Sequence, residues 1–354
     1  MSRFRLRPAP AAALLATATL VVGLSACSSG ASDTGTTAAP EGDASGTVIG
    51  IANAFMGNSF NQAASAMLVE NAEAAGLSPL EPTNADADSS QQISDVQSLI
   101  SRGAKAILLT PNDSNALSQV VNTTVDQGIP VVTPNIGVNT DKVYINVRPS
   151  GTEMGTRQCE ALEGQIPDDA QIFYVAGFLS DETGRERWES FSACVEENYP
   201  GMTVTMKEAQ WDPVVATNIV ETAFGSGQRY DALVLASDSV FGPGALSTLD
   251  KLGLLHPVGD PNHIYLSGID GSPEGLAAIR DGYMDNLVAQ PLVQQCELAV
   301  QYLTMALEGE TVTAGRTDHD SEIVDDGGVL TDFIPSLFVT IDNVDDPAIW
   351  GNAV

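Results

Sequence analysis

The sequence predicts an α/β fold of two doubly wound parallel sheets, and three observations carry that expectation. Short runs rich in Val, Ile and Leu are apolar throughout instead of alternating, as strands covered on both faces must be. Longer segments of helical period separate them, and several close on Gly. Strands and helices together make about sixteen elements, too many for one open sheet, so two sheets are expected.

The chain opens with Arg3, Arg5 and Arg7 followed by an apolar run that ends in Leu24-Ser25-Ala26-Cys27, which reads as a secretion signal over residues 1–26. A membrane-spanning anchor is the alternative, but Pro10 and the many Ala and Thr weaken it. The Leu-Ser-Ala-Cys end resembles a bacterial lipoprotein signal, which implies that Cys27 becomes a lipid-bearing N-terminus. Residues 27–46, rich in Gly, Ser, Thr and Ala, read as a flexible tether holding the folded part near a membrane through the lipid alone.

From Thr47 onward the predicted strands are TVIGIANAF, AKAILLTP, IPVVTP, KVYINV, QIFYVAGF, MTVTMKEAQ, ALVLAS and HIYLSGID. Between them lie helical segments at 60–76, 89–103, 114–128, 152–166, 182–199, 213–227, 240–253 and 272–282, with a last helix over 292–309. Asp212-Pro213 and Ser272-Pro273 pair a capping side chain with a first-turn proline. Three Gly- or Pro-containing stretches, 147–151, 288–292 and 325–329, are candidate crossings between the sheets. Asn84, Asp86 and Asp88 resemble the start of a calcium loop, but Ser89 stands where Gly is required, so the stretch reads as a helix-capping loop.

Fifteen basic residues against 46 acidic ones give a net charge of −31, which excludes nucleic acid as a partner. Beyond Cys27 the cysteines are Cys159, Cys194 and Cys296; neither they nor His256, His263 and His319 show metal-ligand spacing, so no metal and no cofactor is expected. No Gly-x-Ser-x-Gly elbow, phosphate-binding loop, Gly-x-Gly-x-x-Gly or His-Glu-x-x-His is present, so no catalytic residue is expected.

In doubly wound sheets, ligands sit beyond the carboxyl ends of the strands. Here those ends carry residues 55–60, 111–113, 134–136, an arginine-bearing stretch, 210–212, 237–239, 270–271 and Gln290, and Asn, Asp, Arg, Gln and aromatic residues recur among them. Planar polar groups of this kind bind hydroxyls bidentately, and aromatic faces cover C–H patches, so the set suits a polyol ring.

The motifs GNSFNQ, TPNDSNAL, GIPVVTPN, GRERWESF, ALVLASDSVFGPGAL, GIDGSPEG and LVAQP, in that order, resemble the ribose-binding type of periplasmic solute-binding proteins, the receptors of ABC sugar importers. The resemblance implies two lobes joined by a three-crossing hinge, residues 47–147 with 291–325 and residues 148–290 with 326–354. It implies a monomeric, non-enzymatic receptor that closes on a monosaccharide or cyclic polyol and docks on an ABC permease in the membrane. The implied ligand residues are Phe60, Asn61, Asn135, Arg185, Trp211, Asp238, Asp270 and Gln290, with the ring sandwiched between Phe60 and Trp211. Arg185 is expected to pair with Asp238 or Asp270 across the cleft, and Arg187 to be structural. Residues 134–136 lack the Asp-Arg common in sugar binders, which leaves the sugar class open. Cys159 and Cys194, on two helices of one lobe, are the expected disulfide. A ligand-presenting sensor for a membrane kinase or chemoreceptor, or a binder of a small signalling sugar, would share these features.

Overall fold

The structure, a computed structural model, describes Ala44 and residues 46–354. The expected signal peptide, Cys27 and nearly all of the expected tether lie outside the described residues. Where the tether was expected to continue, Ala44 is buried in a hydrophobic core and the Gly46 amide donates to the Gly76 carbonyl at 2.6 Å, so the fold begins before residue 47.

The strands are β1 Val48–Asn53, β2 Ser78–Pro79, β3 Thr83–Asn84, β4 Ile107–Thr110, β5 Val131–Pro134, β6 Ile145–Arg148, β7 Gln171–Ala176, β8 Thr203–Glu208, β9 Ala232–Leu235, β10 Tyr265–Asp270, β11 Asn286–Ala289, β12 Gly315–Arg316, β13 Glu322–Asp326, β14 Val329–Phe333 and β15 Leu337–Val339. The helices are α1 Ser59–Ala74, α2 Ser89–Ser101, α3 Ser118–Asp126, α4 Gly151–Glu160, α5 Glu182–Asn198, α6 Pro213–Gly225, α7 Asp238–Lys251, α8 Pro273–Arg280 and α9 Leu292–Glu308, followed by a 3₁₀ turn, Trp350–Asn352.

Two mixed, mainly parallel sheets result. The first runs β12-β13-β14-β6-β5-β4-β1-β2, with β3 also on β1. The second runs β15-β11-β10-β9-β7-β8. Within the parallel core of each sheet the order switches between β4 and β1 in the first and between β9 and β7 in the second, and such switch points open a crevice at the strand ends. In the first lobe α1 and α9 bury Phe60, Leu68, Cys296 and Leu303 against one sheet face. Helices α2 and α3 bury Leu99, Val120 and Val121 against the other. One core covers both faces of the second sheet, drawing Phe191 from α5, Val220 from α6 and Phe241 from α7.

Most helix starts are fixed by side chains that accept from free backbone amides. Asn58 caps α1, Asp88 caps α2, Ser150 caps α4, Asp181 caps α5, Asp212 caps α6, Ser237 caps α7 and Ser272 caps α8. Each such cap contributes about 1 kcal/mol and sets where the next side chains point. The Asn84 to Asp88 stretch ends in the α2 cap.

The third crossing differs from expectation. Residues 325–329 make a hairpin turn between β13 and β14, with Gly327 and Gly328 at φ 64° and 98° and the Gly328 amide bonded to Asp325 at 2.8 Å. Two consecutive positive-φ residues are what tight hairpin turns use. Strand β14 then returns beside β6, and the chain changes sheet at 334–336, so residues 326–333 belong to the first sheet.

Candidate functional site

The second lobe gathers a buried polar hub where β7, β9 and β10 end. Asp270 Oδ1 accepts from Gln290 Nε2 at 2.6 Å, and its Oδ2 accepts from the hydroxyls of Ser237 and Ser239 at 2.5 and 2.6 Å. Arg187 of α5 brings Nη1 to 3.6 Å from Asp270 Oδ1 and donates from the same nitrogen to the Ala236 carbonyl at 2.6 Å. Both ionic side chains are almost wholly buried, so each needs the other to offset the cost of leaving water. Arg187 Nε and Gln290 Oε1 are nonetheless buried without a partner. A donor and an acceptor left open in this way is a costly arrangement unless a ligand supplies the complements.

Trp211 lies beside this hub. Its ring passes over Gly177, where a Cβ would come within 2.1 Å of it, so only Gly fits there. The indole stacks on Phe241 at 5.8 Å and 10°, lies 5.8 Å from the Arg187 guanidinium, and donates to Asp181 at 2.6 Å. Burial raises the Asp181 carboxyl, against the opposing pull of the bonds from Trp211 and the Gly184 amide.

The first lobe contributes a narrow cavity of about 20 Å³, lined by Asn53, Phe60, Asn61, Thr110, Asn135 and Gln295 among others. That volume holds about one water. Gln295 Oε1 is buried without a partner. Phe60 packs edge-on against Trp350 at 5.6 Å, and the Trp350 indole donates to the Asp270 carbonyl at 2.6 Å, which ties the cavity to the hub. Asn135, Trp211 and Asp270 hold φ of 69°, 56° and 130°. Non-glycine residues in this region cost about 1–3 kcal/mol each and cluster at functional sites.

The eight expected site residues therefore divide. Asp270 and Gln290 meet in the hub, Phe60, Asn61 and Asn135 line the cavity, and Trp211 flanks Arg187. Phe60 and Trp211 do not pair with each other; their aromatic partners are Trp350 and Phe241. Two expectations are corrected. Arg185 is exposed, with one long bond of 3.5 Å to the Asp181 carbonyl, and Arg187 makes the pair with Asp270. Positions two apart on a helix point about 200° away from each other, and the inward stripe of α5 is Gly184, Arg187, Phe191 and Cys194. The apolar spacing of Phe191 and Cys194 was the signal that could have selected Arg187.

Asp238 is the second correction. It is fully buried and accepts from the Gly271 and Ser272 amides at 2.8 and 3.0 Å and from the Ser272 hydroxyl. It braces the turn that carries Asp270, while its neighbours Ser237 and Ser239 face Asp270 itself. Burial, with the charge of Asp270 adding, pushes the Asp238 carboxyl up to about 7 against those three bonds. Gln295 and Trp350 were missed because each lies outside a strand end.

Residues 49–311 match a family profile described as periplasmic binding protein domain. The ribose import binding protein of Bacillus subtilis is 27% identical over 229 residues, 65% of this chain and 72% of that protein. A xylitol-binding protein of Mycolicibacterium smegmatis is 28% identical over 201 residues, 56% of this chain and 55% of that protein. Among solved structures, an ABC transporter solute-binding protein of Bacillus halodurans with bound myo-inositol superposes with a TM-score of 0.72 at 25% identity, covering 87% of this chain and 99% of that one.

Proposed function

Because the chain belongs to the periplasmic binding protein family, we propose that it is an extracytoplasmic receptor that closes two lobes over a neutral ring polyol and delivers it to an ABC permease. The observation that carries this reading is the buried trio Arg187, Asp270 and Gln290, whose open Nε and Oε1 lie at the switch-point end of the second sheet. A polyol hydroxyl both donates and accepts, so adjacent hydroxyls can satisfy the Gln290 acceptor and the Arg187 donor together. Asp270 already balances the Arg187 charge, so an ionic ligand would bring an uncompensated charge into a buried site. The Asn and Gln groups of the first-lobe cavity then engage the opposite edge of the ring. A ligand bridging both lobes binds the closed state better and shifts the population toward it.

The relatives named for ribose and myo-inositol support a monosaccharide or cyclic polyol as cargo, and the one named for xylitol, an open-chain polyol, supports recognition through hydroxyl groups. The family is one of binding proteins, and a receptor without catalytic groups fits the site. The N-terminal pattern supports export followed by lipid attachment at Cys27, with the folded part acting as a tethered monomer. To test the reading, thermal midpoints are measured with D-ribose, D-xylose, xylitol, myo-inositol and deoxy sugars, because a ligand held only by the native state raises the midpoint. The expected result is a rise of several degrees for one ring polyol, lost in Arg187→Ala and kept in Arg185→Ala. A folded protein that ignores every compound, or a response that depends on Arg185, would overturn it.

A further inference from the structure

We propose that the C-terminal turn is a clasp between the lobes and that Trp350 is a positioning residue of the binding site, acting through Phe60 and Asp270. The proposal rests on the two-lobe receptor reading. Adjacent residues of this turn belong to different cores: Ile349 packs in that of the second lobe, Trp350 in that of the first.

The turn itself is mounted on the second lobe. Arg280 of α8 donates to the Val344 carbonyl at 3.2 Å and the Asn352 side chain at 2.6 Å, and pairs with Asp345 at 2.8 Å. Asn352 in turn donates to the carbonyls of Val344 and Asp346 at 2.9 and 2.8 Å. At Gly351 the backbone comes so close to α8 that a Cβ would stand 2.4 Å from the Gly271 carbonyl oxygen, so no larger residue fits.

From this mount a single side chain reaches across. The Trp350 ring meets Phe60, the second residue of α1, edge-on at 5.6 Å, and its N–H holds the carbonyl of Asp270 at 2.6 Å. Asp270 occupies a φ of 130°, a conformation that needs outside support, and the indole bond supplies some of it. Trp350 thus fixes the ring face that Phe60 offers to a ligand and the carboxylate that Asp270 aims at Arg187. When the lobes part, the second lobe carries the indole away from Phe60, so this contact belongs to the closed state.

The test compares Trp350→Ala, Trp350→Phe and Ile349→Ala in the full folded chain. Whichever probe among D-ribose, D-xylose and myo-inositol binds the wild type is followed by stopped-flow, and ligand-free samples are measured by small-angle scattering. Trp350→Ala should release the probe about tenfold faster with little change in association and should enlarge the ligand-free radius of gyration. Trp350→Phe, which keeps the ring and loses the N–H, should lie between Trp350→Ala and wild type and serves alone if the alanine variant fails to fold. Ile349→Ala should lower thermal stability without altering release or size, as a purely structural role would. Wild-type release and wild-type size in both Trp350 variants overturn the clasp. Failure of every probe counts against the receptor reading, and the scattering then decides the clasp by itself.

Discussion

Asp238 carries three hydrogen bonds in a site closed to water, and the outcome is set by which effect is larger. Burial and the neighbouring Asp270 charge win, lifting the carboxyl from 3.8 to about 7. The protonated form is therefore favoured in the folded state, so the stabilisation is complete below 3.8 and is lost as pH rises through about 7. Denaturant unfolding of Asp238→Asn should show a flatter pH dependence between those values than wild type; equal slopes would remove Asp238 as the cause. Cys296 gives a second residue-level outcome. Burial pushes its thiol far up, so a thiol reagent should label it only after unfolding. The chemistry of the site was legible at this scale because polar and aromatic residues at strand ends are rare enough to stand out. Which of two neighbours faces inward was not, since Arg185 against Arg187 and Asp238 against Ser237 turn on helix phase, and phase depends on the capping residue.

Helix α5 joins the site to the hinge. Its inner face carries Arg187, while Glu182 and Glu186 reach Arg148 at the end of β6, at 3.0 and 2.9 Å, where Asp326 of β13 adds a third carboxylate at 3.3 Å. The guanidinium also lies 4.8 Å from the Phe333 ring centre. Arg148→Met leaves those carboxylates crowded without a cation and should cost about 3 kcal/mol in chemical denaturation; a loss below about 1 kcal/mol would mean that solvent already screens them. The same helix is bonded to α4 through Cys159 and Cys194, whose Cα atoms are 6.1 Å apart and which are separated by 35 positions in sequence. Reduction should lower stability by about 3–4 kcal/mol through the freer unfolded chain. Long apolar elements such as β7 and β10 could be read directly from the sequence. Strand β11, four residues that run straight into Gln290 and Pro291, could not, and the Gly327-Gly328 turn looked like a hinge because a hairpin and a crossing both demand glycine.

Across the whole molecule the titrations lean one way. Burial raises Asp181 and Glu182 as it does Asp238; His263 is pulled down by burial, yet is raised overall by its bonds to Asp285 and the His256 carbonyl. Every one of these groups binds its proton more tightly folded than unfolded, so their stabilisation falls as pH rises, and for Asp238 and His263 that loss reaches neutrality. A net charge of −31 adds self-repulsion in the same direction. The denaturant midpoint should be higher at about pH 5.5 than at pH 8, and the reverse order would show that another set of groups dominates. Two lobes were legible from the count of elements, but their exact membership was not, because β14 joins β6 across a sequence separation that no local pattern records.

That pairing also orders events in time. Strands β7 to β11 form one continuous stretch, so the second lobe can assemble most of its sheet from neighbours as they emerge. The first lobe must wait for α9, β13 and β14, and bringing Phe333 beside Arg148 closes a loop that contains nearly all of the other lobe. Loop closure on that scale is slow, and an unfinished sheet edge invites wrong partners. Both lobes can begin from continuous stretches, β1 to β6 and β7 to β11, but the first is completed across the whole of the second, so a finished cleft comes late in assembly.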